Sequence, residues 1–293
     1  MKGLTKIIII TLAAGVCAVV LHLLYLRSLA PKEVYPDDTF LNGEANKKAL
    51  ILVAHDDDAA PFSGTTSMLS SNGWEVDFVC FYTDQYRPEE VPVRKLEMEK
   101  VSDLIGFRNM DLIDFTMARS LDTISQPWMP IPYDQFSVRY KTDSLSSIIL
   151  DVIDRYRPSV IFMVDNVIGG YGHPEHVVLG KLTEEVCQAH SDSSRFPVKR
   201  IYMYVFPPSL AERVNGNLDV YREGKIIYNC NGMPVPDVQV DITEFATNKK
   251  KVFLAHASQK RNLKKFIPYY NIYPGWIYFT IFGKEYFSVI DIN

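Results

Sequence analysis

Short apolar runs alternate with longer amphipathic segments through most of this chain. The strand-like runs are 49–54, 75–82, 110–115, 159–164 and 200–206. The segments with apolar residues at helical spacing are 93–107, 143–157 and 175–190. Strands that alternate with helices form a mostly parallel sheet covered on both faces. The sequence therefore predicts an α/β, Rossmann-like fold.

The first thirty residues contain an apolar run of a different kind. Residues 7–26 include no Asp, Glu, Lys or Arg. A helix of that length spans about 30 Å, the hydrocarbon thickness of a bilayer. We therefore expect a single-pass membrane anchor over 1–30, a linker over 31–48 and a domain over 49–293.

The alternative for this run is a signal segment that is removed, which would leave a secreted or periplasmic protein. A small-residue cleavage site is conceivable before Pro31, but proline directly after such a site disfavours cleavage. Basic residues flank the run on both sides, so the side of the membrane stays open.

Composition excludes several classes of protein. Hydrophobic residues make up 47% and charged residues 23%, which excludes a disordered or collagen-like chain. The net charge is -4, so nucleic acid is not expected as a partner. The four cysteines lie far apart and indicate neither a disulfide framework nor a cysteine zinc site. The lysine run 249–251 predicts a solvated helix face.

Two loops that follow predicted strands carry metal-ligand side chains. Ligands bind to open α/β sheets beyond the carboxyl ends of the strands. After the run 49–54 comes His55 with three aspartates, whose carboxylates repel one another unless a cation lies among them. After the run 159–164 comes a glycine-rich loop that ends in His173-Pro-Glu-His176. Proline suits a first helical position, so the two histidines lie at a helix entry on one face.

A ligand set follows from this chemistry. His55, Asp58 and His176 give two imidazoles and one carboxylate, and they leave a coordination position open for water, as in catalytic zinc sites. Zinc lowers the pKa of such a water toward ~7. Asp57, beside the ligands, is then the candidate general base. Fe²⁺ oxygenases use the same ligand types, so Fe²⁺ and an oxygenase remain an alternative.

These loops resemble the two motifs of the LmbE-like deacetylases, also called the PIG-L family. The family's first motif is AHPDDE, where this chain has AHDDDA, and its second is close to GHPDH, where this chain has GHPEH. Two weaker similarities are Arg94-x-x-Glu97 and the late His256-x-Ser-Gln259. The resemblance covers residues 50–287. It implies a zinc-dependent hydrolase that removes an N-acetyl group from N-acetylglucosamine-type substrates, which include lipid- and glycoside-linked ones.

The resemblance agrees with the ligand set above and adds a proton path. It implies that His55, Asp58 and His176 bind the zinc ion. It also implies that Asp57 activates the water and then passes the proton to the leaving amine. The substrate that the resemblance implies is an acetylated amino-sugar, and protein partners stay unknown.

The resemblance implies roles for further residues around the reacting amide. His173 stabilises the tetrahedral intermediate and is oriented by Glu175, while Tyr171 polarises the amide carbonyl. Arg94 holds the sugar or its substituent. Asp122 is the candidate for a sugar-contacting acid. Each of these roles is an expectation carried over from the family.

Three positions depart from the family's motifs. Asp56 stands in place of Pro, Ala59 in place of Glu, and Glu175 in place of Asp. These departures motivate an alternative function, a non-catalytic protein that binds carbohydrate or lipid headgroups on the same fold. The aromatic stretch 269–279 would then offer stacking surfaces, although a β-hairpin packed in the core is the expectation we prefer for it.

Overall fold

The computed structural model describes residues 2–81, 88–120 and 127–292 and divides the chain into two compact units, Met1–Glu33 and Val34–Asn293. The first unit consists of helix α1 (Lys2–Leu29). Over Gly3–Leu29 this helix is long and apolar enough to cross a membrane, a property that signal sequences share. The predicted division into anchor, linker and domain stays a prediction.

The second unit is built on one seven-stranded sheet, which confirms the predicted α/β fold. Its strands are β1 (Lys48–Val53), β2 (Glu75–Cys80), β3 (Asn109–Leu112), β4 (Val160–Val164), β5 (Arg200–Val205), β6 (Val238–Asp241) and β7 (Lys284–Asp291). They are ordered β3-β2-β1-β4-β5-β7-β6 across the sheet. Strands β1 to β5 pair in parallel, and β7 is antiparallel to β5 and β6.

Helices cover both faces of this sheet. They are α2 (Phe40–Gly43), α3 (Ser63–Ser71), α4 (Val91–Ile105), α5 (Phe136–Arg139), α6 (Thr142–Tyr156), α7 (Gly169–Gly172), α8 (Pro174–His190), α9 (Pro208–Asn215), α10 (Asp219–Ile227), α11 (Ala246–Ala255), α12 (Lys260–Phe266) and α13 (Gly275–Ile281). Single 3-10 turns occupy Asp56–Phe62, Pro88–Glu90, Tyr133–Gln135 and Thr243–Phe245. The predicted helices correspond to α4, α6 and α8.

The central strands are buried on both faces, because helices cover each side of the sheet. Ala49 to Val53 of β1 are all buried, and so are Val160 to Met163 of β4. On one face, the ring of Phe162 stacks on Tyr202 with centroids 4.9 Å apart and contacts Phe287 edge-on. This aromatic layer joins the parallel strands to the antiparallel strand β7.

The chain reverses its direction of travel across the sheet at β1. It runs from β1 outward to β2 and β3, and then returns to place β4 on the other side of β1. Such a switch point leaves a crevice beyond the carboxyl ends of the two central strands. The loops after β1 and β4, which carry the predicted metal ligands, meet at this crevice.

Two expectations about the C-terminal third are wrong. The stretch 269–279 is not a β-hairpin, because two prolines and the close packing of Gly275 on the Ala246 carbonyl favour the short helix α13. The lysine run is not uniformly solvated either. Lys249 is only 3% exposed, and its ammonium group donates to Glu285 at 2.6 Å and to the Pro61 carbonyl at 2.7 Å.

Candidate metal centre and active site

The first loop of the site begins where β1 ends. His55 has extended backbone angles, and the 3-10 turn Asp56–Phe62 starts directly after it. The Asp58 carboxylate accepts the backbone N–H of His55 at 2.7 Å, which closes the turn. The same bond brings the carboxylate back toward the His55 ring, so that Asp58 Oδ2 lies 3.3 Å from Nδ1.

The second loop is organised by a buried carboxylate at the end of β4. Asp165 is fully buried and accepts four backbone N–H groups, from residues 167–170, at 2.6 to 3.2 Å. Burial raises the pKa of Asp165, although these four bonds oppose the increase. Gly169 has φ +63° and would place a Cβ only 2.9 Å from that of His176, so glycine is needed there.

Three donor atoms from the two loops converge. His55 Nδ1 lies 3.1 Å from His176 Nε2, which lies 3.2 Å from Asp58 Oδ1. Tetrahedral zinc ligands with bonds of about 2.05 Å stand roughly 3.3 Å apart. The two ring nitrogens and the two carboxylate oxygens of Asp58 therefore have the spacing of ligands to one zinc-sized ion. The predicted ligands are thus brought together in space, while their role as ligands stays a prediction.

Hydrogen bonds fix the ring orientations of the two converging histidines. His55 Nε2 lies 2.9 Å from the Glu175 carboxylate, and His176 Nδ1 lies 2.9 Å from the Gly169 carbonyl oxygen. Because both partners accept hydrogen bonds, each of these nitrogens carries the proton. The lone pairs of His55 Nδ1 and His176 Nε2 are then left to face each other and Asp58. Metal-binding histidines usually donate their second N–H in this way.

The charges of the site favour a bound cation. Burial would raise the pKa of Asp58, but His176 and His55 lower it well below its ordinary value. Burial would lower the pKa of His55, but the carboxylates of Asp58 and Glu175 raise it well above its ordinary value. Without a bound metal, the carboxylates thus favour protonated, positively charged imidazoles. A cation bound among the donors would supply the same positive charge.

His173 supplies a third imidazole at the helix entry. Its ligand atoms and those of His55 and His176 lie within 4.8 Å of one another, which makes a three-histidine metal site a candidate. However, His173 Nδ1 accepts the backbone N–H of Glu175 at 3.3 Å. Burial, together with the neighbouring imidazoles, lowers the pKa of His173 well below its ordinary value. A neutral ring with that bond carries its proton on Nε2 and can donate it.

The contacts of Glu175 differ from the expected ones. Its carboxylate contacts His55 rather than His173, and only its backbone N–H orients the His173 ring. Tyr171 lies edge-on to the His176 ring, with centroids 5.6 Å apart. Burial, followed by the nearby carboxylates, raises the pKa of Tyr171 well above its ordinary value, so its hydroxyl keeps its proton. Asp122 lies outside the described residues.

Arg94 faces carboxylates of the first loop. It is only 5% exposed, donates to both carboxylate oxygens of Asp56, and lies 3.3 Å from the Asp57 carboxylate. Burial raises the pKa of Asp56 even though Arg94 opposes this. The predicted contact between Arg94 and the sugar stays a prediction, and the observed contacts instead orient Asp57.

The two weaker sequence similarities contact each other in the structure. The Glu97 carboxylate accepts the backbone N–H and the hydroxyl of Ser258 at 2.8 and 2.7 Å. His256 is 1% exposed, and its ring nitrogens form no hydrogen bond with any residue that the structure describes.

Sequence reasoning did not identify Asp165, for which the only signal is a carboxylate directly after a strand and before two glycines.

Comparison with known proteins agrees with this geometry. The family described as PIG-L, GlcNAc-PI de-N-acetylase, matches residues 50–187. Two curated relatives are named 1D-myo-inositol 2-acetamido-2-deoxy-alpha-D-glucopyranoside deacetylase. The one from Tsukamurella paurometabola is 24% identical over 191 residues, which are 54% of this chain and 62% of the relative. The one from Rhodococcus jostii is 30% identical over 129 residues, which are 40% of this chain and 44% of the relative.

These matches span less than two thirds of either relative's length. Among solved structures, the N,N'-diacetylchitobiose deacetylase from Pyrococcus horikoshii has a TM-score of 0.52 at 19% identity. It covers 89% of this chain and 95% of its own, and at that identity it shows a shared fold. The family match, together with both histidine motifs at the switch point of the sheet, shows that residues 50–187 are similar to the PIG-L, or LmbE-like, family.

Proposed function

We propose that this chain is a metal-dependent N-deacetylase, an amide hydrolase acting on an acetylated amino-sugar of the N-acetylglucosamine type. One observation carries the proposal: the ring nitrogens of His55 and His176 converge with the carboxylate of Asp58, the residue directly after Asp57. The names of the relatives support the substrate class. A lipid- or glycoside-linked sugar is the form that we favour.

The proposed cofactor is Zn²⁺, held by His55, Asp58 and His176. When bound, it supplies hydroxide near neutral pH and polarises the amide carbonyl. Fe²⁺ fits the same donors and is the alternative metal. The Glu175 carboxylate and the Gly169 carbonyl hold the two imidazoles in the required orientation.

Asp57 is the proposed general base and then the general acid. Its carboxylate takes a proton from the attacking water and delivers it to the amine nitrogen as the C–N bond breaks. Arg94, itself held by Asp56, fixes the orientation of the Asp57 carboxylate. One side chain can serve both steps because the attacking oxygen and the leaving nitrogen are bonded to the same carbon atom in the tetrahedral intermediate.

His173 and Tyr171 are the proposed donors to the carbonyl oxygen. The Nε2–H of neutral His173 and the protonated Tyr171 hydroxyl offer hydrogen bonds that strengthen as negative charge develops on that oxygen. Loss of one such donor typically lowers turnover about 100- to 1000-fold. The low pKa of His173 supports this role, because the ring donates without carrying a charge that would repel the metal.

Acetate release from acetylated amino-sugars tests the function. With zinc present, we expect Asp57→Asn to lower the rate about 100- to 10,000-fold, because the amide can no longer accept the proton. Asp151→Asn, which changes an exposed carboxylate on α6, is the matched control and should keep the parent rate. Saccharide binding by the metal-replete chain with no turnover would instead favour the non-catalytic alternative.

We further propose that α1 anchors the protein in a membrane as an uncleaved single-pass helix. The support is an apolar stretch of sufficient length, Gly3–Leu29, and the proline directly after the small-residue site at 28–30. An anchored domain would act at the membrane surface, where lipid-linked sugars are found.

A further inference from the structure

One segment of the domain has a charge opposite to that of the whole chain. Residues 245–283, here called the basic segment, contain seven Lys and Arg residues and no Asp or Glu. All 35 acidic residues therefore lie outside it. The segment is strongly basic although the net charge of the chain is -4. Such clustering produces a local positive potential even on an acidic protein.

Most of this positive charge faces solvent on one short helix. Lys260, Arg261, Lys264 and Lys265 of α12 are all exposed. Within residues 2–81, 88–120 and 127–292, none of the four forms an ion pair with a carboxylate. Lys249 differs, because its ammonium group is buried against Glu285. The charges of α12 are thus available to an external partner.

The same segment also exposes large apolar side chains. Trp276 is 65% exposed, Ile272 is 57% exposed and Tyr269 is 37% exposed. Both α12 and α13 pack against α11, which places the basic and apolar groups on neighbouring elements. Single exposed apolar residues need no explanation, but here tryptophan, isoleucine and tyrosine follow the exposed basic side chains of α12 within residues 260–276, a region here called the mixed surface.

This surface borders the crevice. Phe266, the last residue of α12, packs on the Tyr171 ring with centroids 4.8 Å apart. Ser258, from the same segment, donates a hydrogen bond to Glu97, which follows Arg94 by three residues on α4. A partner that binds α12 would therefore lie next to the site rather than on a remote face.

We propose that α12, together with Ile272 and Trp276, binds the anionic surface of a lipid bilayer. Basic side chains are attracted to anionic headgroups, and tryptophan prefers the interface between headgroups and hydrocarbon. A folded nucleic acid would contact the basic side chains of α12 but would gain no binding energy from Ile272. This contact is separate from insertion of α1, and it does not depend on the reaction that the site catalyses.

The test places the full chain in lipid nanodiscs that carry brominated lipids, which quench tryptophan fluorescence on contact. The chain has three tryptophans, of which Trp74 is buried, and Trp128→Phe removes the other exposed one. We expect quenching of Trp276 in discs containing phosphatidylserine and its loss in discs of phosphatidylcholine alone. High salt should also weaken the quenching, because it screens exposed charges.

Charge reversal identifies the surface responsible. Lys264→Glu with Lys265→Glu should abolish the quenching in anionic discs. Lys47→Glu with Arg195→Glu makes the same change of charge at exposed positions near the opposite ends of the strands and should leave it intact. Equal quenching in neutral and anionic discs, or no effect of the α12 pair, would overturn the proposal. So would a polynucleotide whose binding requires Lys264 and Lys265 while the quenching does not.

Discussion

At the scale of single residues, the departure from the family motif at position 56 has a defined partner. Asp56 and Arg94 form an ion pair in which the side chains are only 1% and 6% exposed. Removal of one partner from a buried pair leaves the other charge buried and uncompensated. Asp56 thus fixes a guanidinium that in turn contacts the proposed base.

We expect Asp56→Ala to lower the free energy of unfolding by about 3–5 kcal/mol. The double variant with Arg94→Gln should be more stable than the sum of the two single changes predicts, because the two side chains contact each other and their losses overlap. Denaturant unfolding of the detergent-solubilised chain measures both. Asp219→Asn, in an exposed pair with Arg222, should cost less than about 1 kcal/mol. Strictly additive losses would contradict the coupling.

A second residue-scale prediction concerns acid stability. Burial would raise the pKa of Glu44, but bonds from Lys199 and the Asn46 N–H lower it below the ordinary value of 4.5. As the pH falls below 4.5, the Glu44 carboxylate of the unfolded chain binds a proton, whereas that of the folded chain does so only at a lower pH. The contribution of Glu44 to stability is therefore complete above pH 4.5 and is lost as the pH falls through the lower, folded-state pKa.

Glu44→Gln should therefore be less stable than the parent at about pH 7, and this difference should shrink at about pH 3.5. Urea unfolding at the two pH values measures the difference. Glu99→Gln, at an exposed position of α4, is the control and should match the parent at both. A constant difference for the Glu44 variant across this range would show that the carboxylate does not titrate as described.

Residue chemistry predicted the converging donors but not their supporting contacts. His55, Asp58 and His176 are recognisable because ligand types follow two strand ends. The burial of Lys249 was not predictable, because the charge that pairs with it comes from Glu285, 36 positions later. The same limit applies to Glu175. His173 and His176 are its neighbours in sequence, and only the fold brings its carboxylate to His55, 120 positions earlier.

At the scale of elements, a buried carboxylate organises the segment between β4 and α8 by accepting hydrogen bonds from its backbone N–H groups. Asp165 holds residues 167–170, and the Gly169 carbonyl in turn holds the His176 ring. An asparagine at this position would present an NH₂ group to one of the amides and leave it without an acceptor. The loop would then no longer hold the imidazole in one orientation.

We therefore expect Asp165→Asn to weaken zinc binding about 10- to 100-fold. Competition with a chromophoric chelator measures the affinity, and circular dichroism verifies the fold. Asp192→Asn, at an exposed position after α8, should bind zinc as the parent does. An unchanged affinity in a folded Asp165→Asn variant would mean that the loop is held by other contacts.

The elements themselves were largely predictable. All five parallel strands and the helices α4, α6 and α8 follow from apolar periodicity. Strands β6 and β7 were not predicted, because they lie antiparallel at the edge next to β5, and their side chains are only partly buried. Aromatic residues in 269–279 favoured a strand by composition, but Pro268 and Pro274 limit the chain there to a short helix.

At the scale of the whole molecule, the fate of α1 decides where the protein is located. If the helix is retained, mass spectrometry of the protein recovered from membranes should show the full chain, and carbonate extraction should leave it in the membrane pellet. A soluble product that starts at Pro31 would contradict the anchor. Replacing Pro31 with alanine is an informative companion, because it removes the residue that disfavours cleavage.

The two imidazoles at the crevice are 121 positions apart in sequence. An ion shared between them would act as a reversible cross-link that closes a long loop through the middle of the sheet. Since the unfolded chain does not assemble this donor set, occupancy and resistance to heat are thermodynamically linked. Metal supply would then set both the catalytic capacity and the lifetime of the folded protein.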